Sequence, residues 1–247
     1  MEHYEGKDDE IMQKLLELVD QHPERFYVVE AQVDVNLQLE YFERSVKIRK
    51  KNQAIDIDVQ IGILQSDISG EEEQKDALIF LAGSDDIKAY RQIELYLENP
   101  ESQLKNWAIM AHQESRMVLE TSLLEESRVF ISSGLGGKQH KLRYAVAFVL
   151  QNDTEFHDFQ KNTIQNELKY SFKNYDAELE DVLFSKTFVR FICLVPLQVN
   201  LQILFREVIE EINTYGDFLS QRFLVTNEHA LSEDEVIEMI NSSSDKE

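Results

Sequence analysis

The run Phe188-Val189-Arg190-Phe191-Ile192-Cys193-Leu194-Val195, closed by Pro196, predicts a buried β-strand because it is rich in aromatic and branched apolar residues. Cys193 is the only cysteine in the 247 residues. No internal disulfide can form, so a reducing compartment is expected. The apolar neighbours of Cys193 favour a buried small hydrophobe, since a nucleophilic cysteine normally needs electropositive surroundings that lower its pKa.

The segments around this strand predict an α+β domain over residues 128–241 of element order ββαβαβα. A strand at 128–133, a loop at 134–139 and a strand at 142–150 indicate a β-hairpin. The remaining predicted elements are a helix at 154–175, the strand at 188–195, a helix at 201–212, a strand at 222–226 and a last helix. Ser232 and Glu235 form a capping box that starts this helix. The order lacks the regular alternation of a doubly wound sheet, so helices are expected on one face of a mixed sheet.

Residues 1–127 are predicted to form an α-helical domain, and residues 242–247 a disordered tail. The segments 26–42 and 55–64 fit either a strand or a helix, because their apolar residues satisfy both periods. A helix with Pro23 in its first turn is favoured for the first segment, since no turn signal follows before Lys51. Helices are predicted more firmly over residues 71–126, with breaks at Gly83 and at Asn99-Pro100.

The segment from Tyr90 to Ala111 resembles a HEAT repeat, whose second helix shows an aliphatic residue and a base followed by alanines. Leu104, Lys105, Ala108 and Ala111 occupy those positions. The sequence departs from the pattern in having lysine for arginine and a bulky Trp107 beside the alanine. This HEAT-like resemblance, over about residues 71–126, implies an α–α superhelix that binds another protein. The arrangement also resembles a group of bacterial proteins, and that likeness implies no activity.

The composition is acidic, with a net charge of -22 from 47 Asp plus Glu against 25 Lys plus Arg. Such a charge opposes non-specific attraction to nucleic acid or to an anionic membrane. The first ten residues lack the basic-then-apolar pattern of a signal peptide, and no apolar stretch is long enough to span a bilayer. A cytoplasmic protein without membrane attachment is therefore expected.

A glycine-rich loop is the most suggestive local feature. Its backbone can approach a phosphate closely, and nearby cations can complete the charge. The candidate ligand-binding residues are Gly134, Gly136, Gly137, Lys138, Lys141 and Arg143. The spacing is not that of a P-loop, and glycines in a hairpin connection need only supply positive φ. Both interpretations, a ligand loop and a structural loop, stay open.

A second cluster of cations comprises Arg44, Lys47, Arg49, Lys50 and Lys51. These residues are candidates for partner binding, to an RNA or to an acidic protein surface. They also fit the C-terminal end of a helix, where cations offset the macrodipole. No catalytic residue, metal ligand or cofactor is predicted, because His112 and Glu114 would point to different helix faces.

These observations favour a non-enzymatic interaction, scaffold or regulatory protein. The alternative is a small-ligand or nucleotide-binding module that uses the Gly134–Lys138 loop. RNA binding through the two basic clusters is the third hypothesis. The oligomeric state and the identity of the partner are not readable from the sequence.

Overall fold

The computed structural model describes residues 19, 21, 26–50, 56–66, 68–124, 129–151 and 155–244. The chain divides into two compact units, of which the first contains residues 1–32 and 131–247 and the second residues 33–130. None of the helices in the described part is long and apolar enough to cross a membrane. The elements are, in chain order, β1 (Phe26–Val28), α1 (Val35–Arg49), α2 (Ile57–Leu64), α3 (Glu71–Ala82), α4 (Ile87–Glu98), α5 (Lys105–Leu124), β2 (Val129–Ile131), β3 (Gly137–Lys138), β4 (Lys141–Leu150), α6 (Asp158–Asn174), β5 (Glu178–Phe184), β6 (Phe188–Pro196), α7 (Leu201–Asn213), β7 (Leu219–Thr226) and α8 (Glu233–Ser244).

The first unit is built on a five-stranded antiparallel sheet. The central pair is β4 and β6, which face each other from Lys141↔Pro196 to Val149↔Phe188. β5 extends the sheet on the far side of β6, whereas β7 and the short β3 share the free side of β4. The order β7-β4-β6-β5, with α6 after β4 and α7 after β6, is the split βαβ arrangement of ferredoxin-like folds.

The two faces of this sheet carry separate apolar clusters, because successive side chains of a strand point to opposite sides. On one face, β4 and β6 pack Phe148, Phe191 and their neighbours against the buried sides of α6 and α7. On the other face, Ala145, Ala147 and Phe188 contact Val236 of α8. Helices therefore lie on both faces, which corrects the expectation that all of them share one.

The mixed α/β character of the chain is as expected, but the element order differs from ββαβαβα. The acidic strand β5 was not foreseen, because three of its seven residues are carboxylates. The predicted hairpin between residues 128–133 and 142–150 is also wrong. Gly137 and Lys138 form a strand of their own that pairs with the start of β4. β2 pairs instead with β1, where the Val29 N–H donates to the Ile131 carbonyl at 2.9 Å.

Among the described helices of the second unit, α1, α2 and α4 begin at aspartate caps. Asp34 accepts hydrogen bonds from the amides of Asn36 and Leu37 at 2.9 and 3.2 Å, so the first helix starts at Val35. Pro23, the predicted start, lies outside the described residues. Residues 26–28 form a strand and residues 35–42 belong to α1, so the segment 26–42 contains both elements and the single helix favoured for it is wrong. Asp56 caps α2 in the same way, so the described part of the segment 55–64 is helical.

The packing of these helices does not support the HEAT-like resemblance. In a solenoid, each repeat contacts only its sequence neighbours. Here α3 and α5 pack against each other and each also contacts α1 and α4, so helices that are not neighbours in sequence are in contact. The helices have 15, 8, 12, 12 and 20 residues, so they do not repeat a unit of constant length. Ala108 and Ala111 of α5 are fully buried in this packing, and the predicted α–α superhelix is wrong.

Candidate nucleic-acid interface

The glycine-rich loop is packed against its own chain. A Cβ on Gly134 would overlap the carbonyl oxygen of Glu228, and Gly136 has a φ of 64° with the Ala31 carbonyl oxygen 2.7 Å from its Cβ position. The amide of Leu135 donates to Asn227 at 3.0 Å. The amide of Gly136 donates to the Ser133 carbonyl oxygen at 3.1 Å. The backbone groups that a phosphate would need therefore already have partners.

The cations beside this loop are also engaged. Arg143 binds Glu180 of β5 through Nε at 2.5 Å and Nη2 at 3.0 Å, and this hydrogen bonding raises the pKa of Arg143. Lys141 lies 2.8 Å from Glu178, and Lys138 lies 3.7 Å from the same carboxylate. These pairs cross from β4 and β3 to β5. A ligand role for the six loop residues stays an untested prediction.

The described members of this cluster lie in the second half of α1 and at its C-cap Lys50, and Lys47 and Arg49 are in the last turn, as the helix-dipole interpretation requires. Arg44 binds Asp76 at 2.6 Å and also Glu72, whereas Arg49 binds Glu114. Lys47 pairs with Glu43 at 3.5 Å. Lys50 has no ion pair within the described ranges, and Lys51 lies outside them. The partner role of these five residues is likewise untested.

The polar residues His112 and Glu114 of α5 form hydrogen bonds with other helices of the second unit. His112 Nε2 lies 3.2 Å from the Tyr90 hydroxyl, and the Tyr41 hydroxyl donates to Glu114 at 2.6 Å. Burial raises the pKa of Tyr41 well above its ordinary value, and the Glu114 charge raises it further. His112 and Glu114 thus have different partners. No group of three His, Cys, Asp or Glu side chains suited to a metal occurs among the described residues.

Helix α6 in the first unit presents a surface of a different kind. The backbone amide of His157 donates to the Gln160 side chain at 2.9 Å and so starts the helix. One side of α6 buries Ile164, Leu168 and Phe172 against the sheet. This anchoring fixes which residues point outward, because side chains three and four apart share a helix face.

The outward face of α6 carries aromatic rings, amides and cations at every third or fourth residue. Phe159 is 62% exposed and Tyr170 67% exposed, so large apolar rings face solvent. The Phe159 ring also packs edge-on against Phe218, with centroids 6.0 Å apart. We call this face the α6 stripe, and its members are Phe159, Asn162, Asn166, Lys169, Tyr170 and Lys173.

The α6 stripe contains no carboxylate. Lys169 and Lys173 are exposed and form no ion pair with any residue that the structure describes. The exposed Asp158, at the first position of α6, lies four residues before Asn162 and so borders the stripe at its N-terminal end. Glu167 accepts a hydrogen bond from Tyr215, which raises the pKa of that tyrosine. In a chain of net charge -22, this surface leaves two cations free for an external anion.

Sequence reasoning predicted a helix at 154–175 but missed its outward face. The signal was present in the printed sequence, where Glu167 is the only carboxylate between Asp158 and Asp176. This signal is weak, because the stretches 127–152 and 182–206 contain no carboxylate at all. The spacing of the exposed rings became meaningful only when the buried side of α6 was known.

Comparison with known proteins returns structural similarity only. No protein-family model and no curated protein matches the chain. A putative transposase from Deinococcus radiodurans R1 is similar with a TM-score of 0.35 and 11% identity, over 44% of this chain and 94% of that one. A REP-associated tyrosine transposase bound to a REP hairpin is similar with a TM-score of 0.31 and 12% identity, over 42% of this chain and 68% of that one. At these TM-scores the likeness carries no argument about what this chain binds.

The predicted resemblance to the HEAT-repeat family is wrong, because the helices of the second unit do not stack as successive repeats. The scaffold function rested on stacked repeats, which the helix packing does not provide. The scaffold prediction is therefore corrected. The alternative of a nucleotide-binding module is corrected as well, because loop amides and the cations beside the loop already have partners within the chain, whereas a role for the individual residues stays untested.

Proposed function

We propose that the first unit binds single-stranded DNA through the α6 stripe. The observation that carries the proposal is the coincidence, on one helix face, of two exposed rings with two exposed lysines that form no ion pair with a described residue. Proteins that bind single strands combine cations for the backbone with aromatic rings on which bases stack. The proposed surface includes none of the residues of the two basic clusters.

A single strand suits the α6 stripe better than a duplex. Aromatic stacking requires the face of an unpaired base, which a duplex hides. Phe159 and Tyr170 are eleven residues apart, which is about 16 Å along a helix axis. Asn162 and Asn166 lie between the rings, and an amide both donates and accepts hydrogen bonds as the edge of an unpaired base does.

The charge count sets the expected salt dependence. Two lysines that neutralise two phosphates of a single strand give a slope of log affinity against log salt of about -1.4. Raising the salt from about 0.1 to 0.4 M should then weaken binding about sevenfold. Each base stacked on a ring contributes about 1–3 kcal/mol, so the rings supply much of the affinity.

Fluorescence anisotropy with a labelled twelve-nucleotide strand tests the proposal. The double variant Lys169→Gln/Lys173→Gln should lose most of the salt dependence, and Tyr170→Ala should weaken binding by about tenfold from one lost stack. Both changes are at exposed positions, so folding should be retained.

A matched control is Lys50→Gln/Lys105→Gln, which removes two exposed lysines of the second unit that also lack ion pairs in the described part. Both double variants change the net charge equally. If they weakened binding equally, net charge rather than the α6 stripe would be responsible. Absence of binding by the unaltered chain at every salt concentration would refute the proposal outright. An RNA of the same sequence shows whether the 2′-hydroxyl changes the affinity.

A further inference from the structure

A cleft of about 680 Å³ lies at the end of the sheet where β5 turns into β6, beside the first turns of α6 and α8. This volume is within the range of small-molecule sites. The side chains that give it chemical character are Glu155, Phe156, Lys161, Phe184, Lys186 and Glu233.

Two lysines of the cleft form no ion pair with a described residue, whereas Lys141, Arg143 and Arg190 of the sheet each bind a carboxylate. Lys161 projects from α6, and Lys186 lies on the exposed turn between β5 and β6. Within the described ranges neither forms an ion pair. By contrast, Arg190 of the neighbouring strand binds Glu233 at 3.1 Å. The cleft therefore offers two free ammonium groups to an anion.

The remaining walls offer an apolar surface and a free acceptor. Phe156 and Phe184 pack edge to face with ring centroids 5.3 Å apart. Glu233 is engaged by the Ser185 hydroxyl at 3.0 Å and by Arg190. Glu155 is exposed and has no hydrogen-bond partner among the described residues. One carboxylate of the cleft is therefore available to accept hydrogen bonds.

We infer that this cleft holds one guanine nucleotide of the bound strand, an inference that rests on the proposed function. The phosphate would lie against Lys161 and Lys186, and the base against the phenylalanine wall. Guanine is the base whose Watson–Crick edge carries two neighbouring donors, N1–H and the N2 amino group. This pair matches the two oxygens of the Glu155 carboxylate. Thymine offers one donor flanked by acceptors and is disfavoured there.

The test compares two strands of equal length, an all-thymine strand and the same strand with one guanine at its 5′ end, both labelled at the 3′ end. The guanine strand should bind about tenfold more tightly, as expected for one bidentate base contact. Glu155→Gln should abolish this advantage because an amide presents only one acceptor. Lys186→Met should reduce it through the phosphate. Glu155→Gln should not affect the all-thymine strand, which has no guanine to contact this carboxylate and is held by the α6 stripe.

If the all-thymine strand binds and guanine adds nothing, the cleft inference is overturned while the proposed function stands. If neither strand binds, the proposed function fails. The cleft is then tested separately by measuring the melting temperature of the protein with free dGMP. A rise in melting temperature with millimolar dGMP that is absent in Glu155→Gln would then support the cleft as a mononucleotide site. No rise in melting temperature would overturn the inference.

Discussion

Gly136→Ala should destabilise the first unit because the glycine meets two separate requirements there. Its φ of 64° is left-handed, and an L-residue with a Cβ pays about 1–2 kcal/mol in that conformation. The added methyl group would also lie 2.7 Å from the Ala31 carbonyl oxygen and would overlap that of Glu30. Overpacking of this kind costs about 1–3 kcal/mol. A total loss near 3 kcal/mol corresponds to a fall in melting temperature of about 6–12 °C.

Differential scanning calorimetry measures this loss, and Gln139→Gly in the same loop is the matched control. Gln139 is exposed and has a φ of 57°, so glycine removes strain at that position. The greater freedom of glycine in the unfolded chain offsets part of the gain. The melting temperature of Gln139→Gly should therefore stay unchanged or rise by a few degrees. A fall of similar size in both variants would refute the argument that the close approach at Gly136 is structural.

Three further predictions concern the interior and the caps of the first unit. Ser232→Ala should cost about 1 kcal/mol in urea unfolding at neutral pH. Hydrogen bonds from Ser232 lower the pKa of Glu235 to about 2 from 4.5, so this stabilisation should be present above pH 4.5 and disappear as the pH falls towards 2. Burial raises the pKa of Cys193, so its thiol should react with an aromatic disulfide reagent only after unfolding, and rapid reaction of the native chain would contradict the fold. Phe205→Ala should cost about 3–5 kcal/mol in the same urea assay, because its ring packs among those of Phe148, Phe191 and Phe223.

Much of the local structure could be predicted from the sequence. The apolar run at Phe188 is the central strand β6, and the capping box of Ser232 and Glu235 starts α8 with reciprocal hydrogen bonds of 2.7 and 3.2 Å. Helices α3, α4 and α7 also lie close to their predicted positions. These elements share a property, since their signals are local: an apolar period, a cap or a glycine within a few residues.

The remaining features depend on distant residues and could not be predicted in this way. β5 is a strand although it is acidic, because Lys141 and Arg143 of β4 neutralise Glu178 and Glu180 across the intervening strand β6. The sequence prediction lacked β5, so the βαββαβ order could not be recognised. A hairpin between residues 128–133 and 142–150 was predicted instead. In the same ion pairs, Lys141 and Arg143 already bind carboxylates of β5. The prediction of an anion site at the glycine-rich loop had relied on these two cations. The α6 stripe was not predicted, because the residues that face outward are set by how α6 packs against the sheet.

The net charge of -22 and a DNA-binding surface are compatible because the two act over different distances. At physiological ionic strength the Debye length is about 8 Å, and exposed charges farther apart are largely screened. The α6 stripe from Phe159 to Lys173 spans about 21 Å. A phosphate beside Lys169 is therefore influenced mainly by the stripe itself. At low ionic strength the screening weakens, and the remaining carboxylates of the chain repel the strand as a whole. The affinity should accordingly peak at intermediate salt and follow the counterion-release slope only above that maximum, a behaviour that a uniformly basic DNA-binding surface would not show.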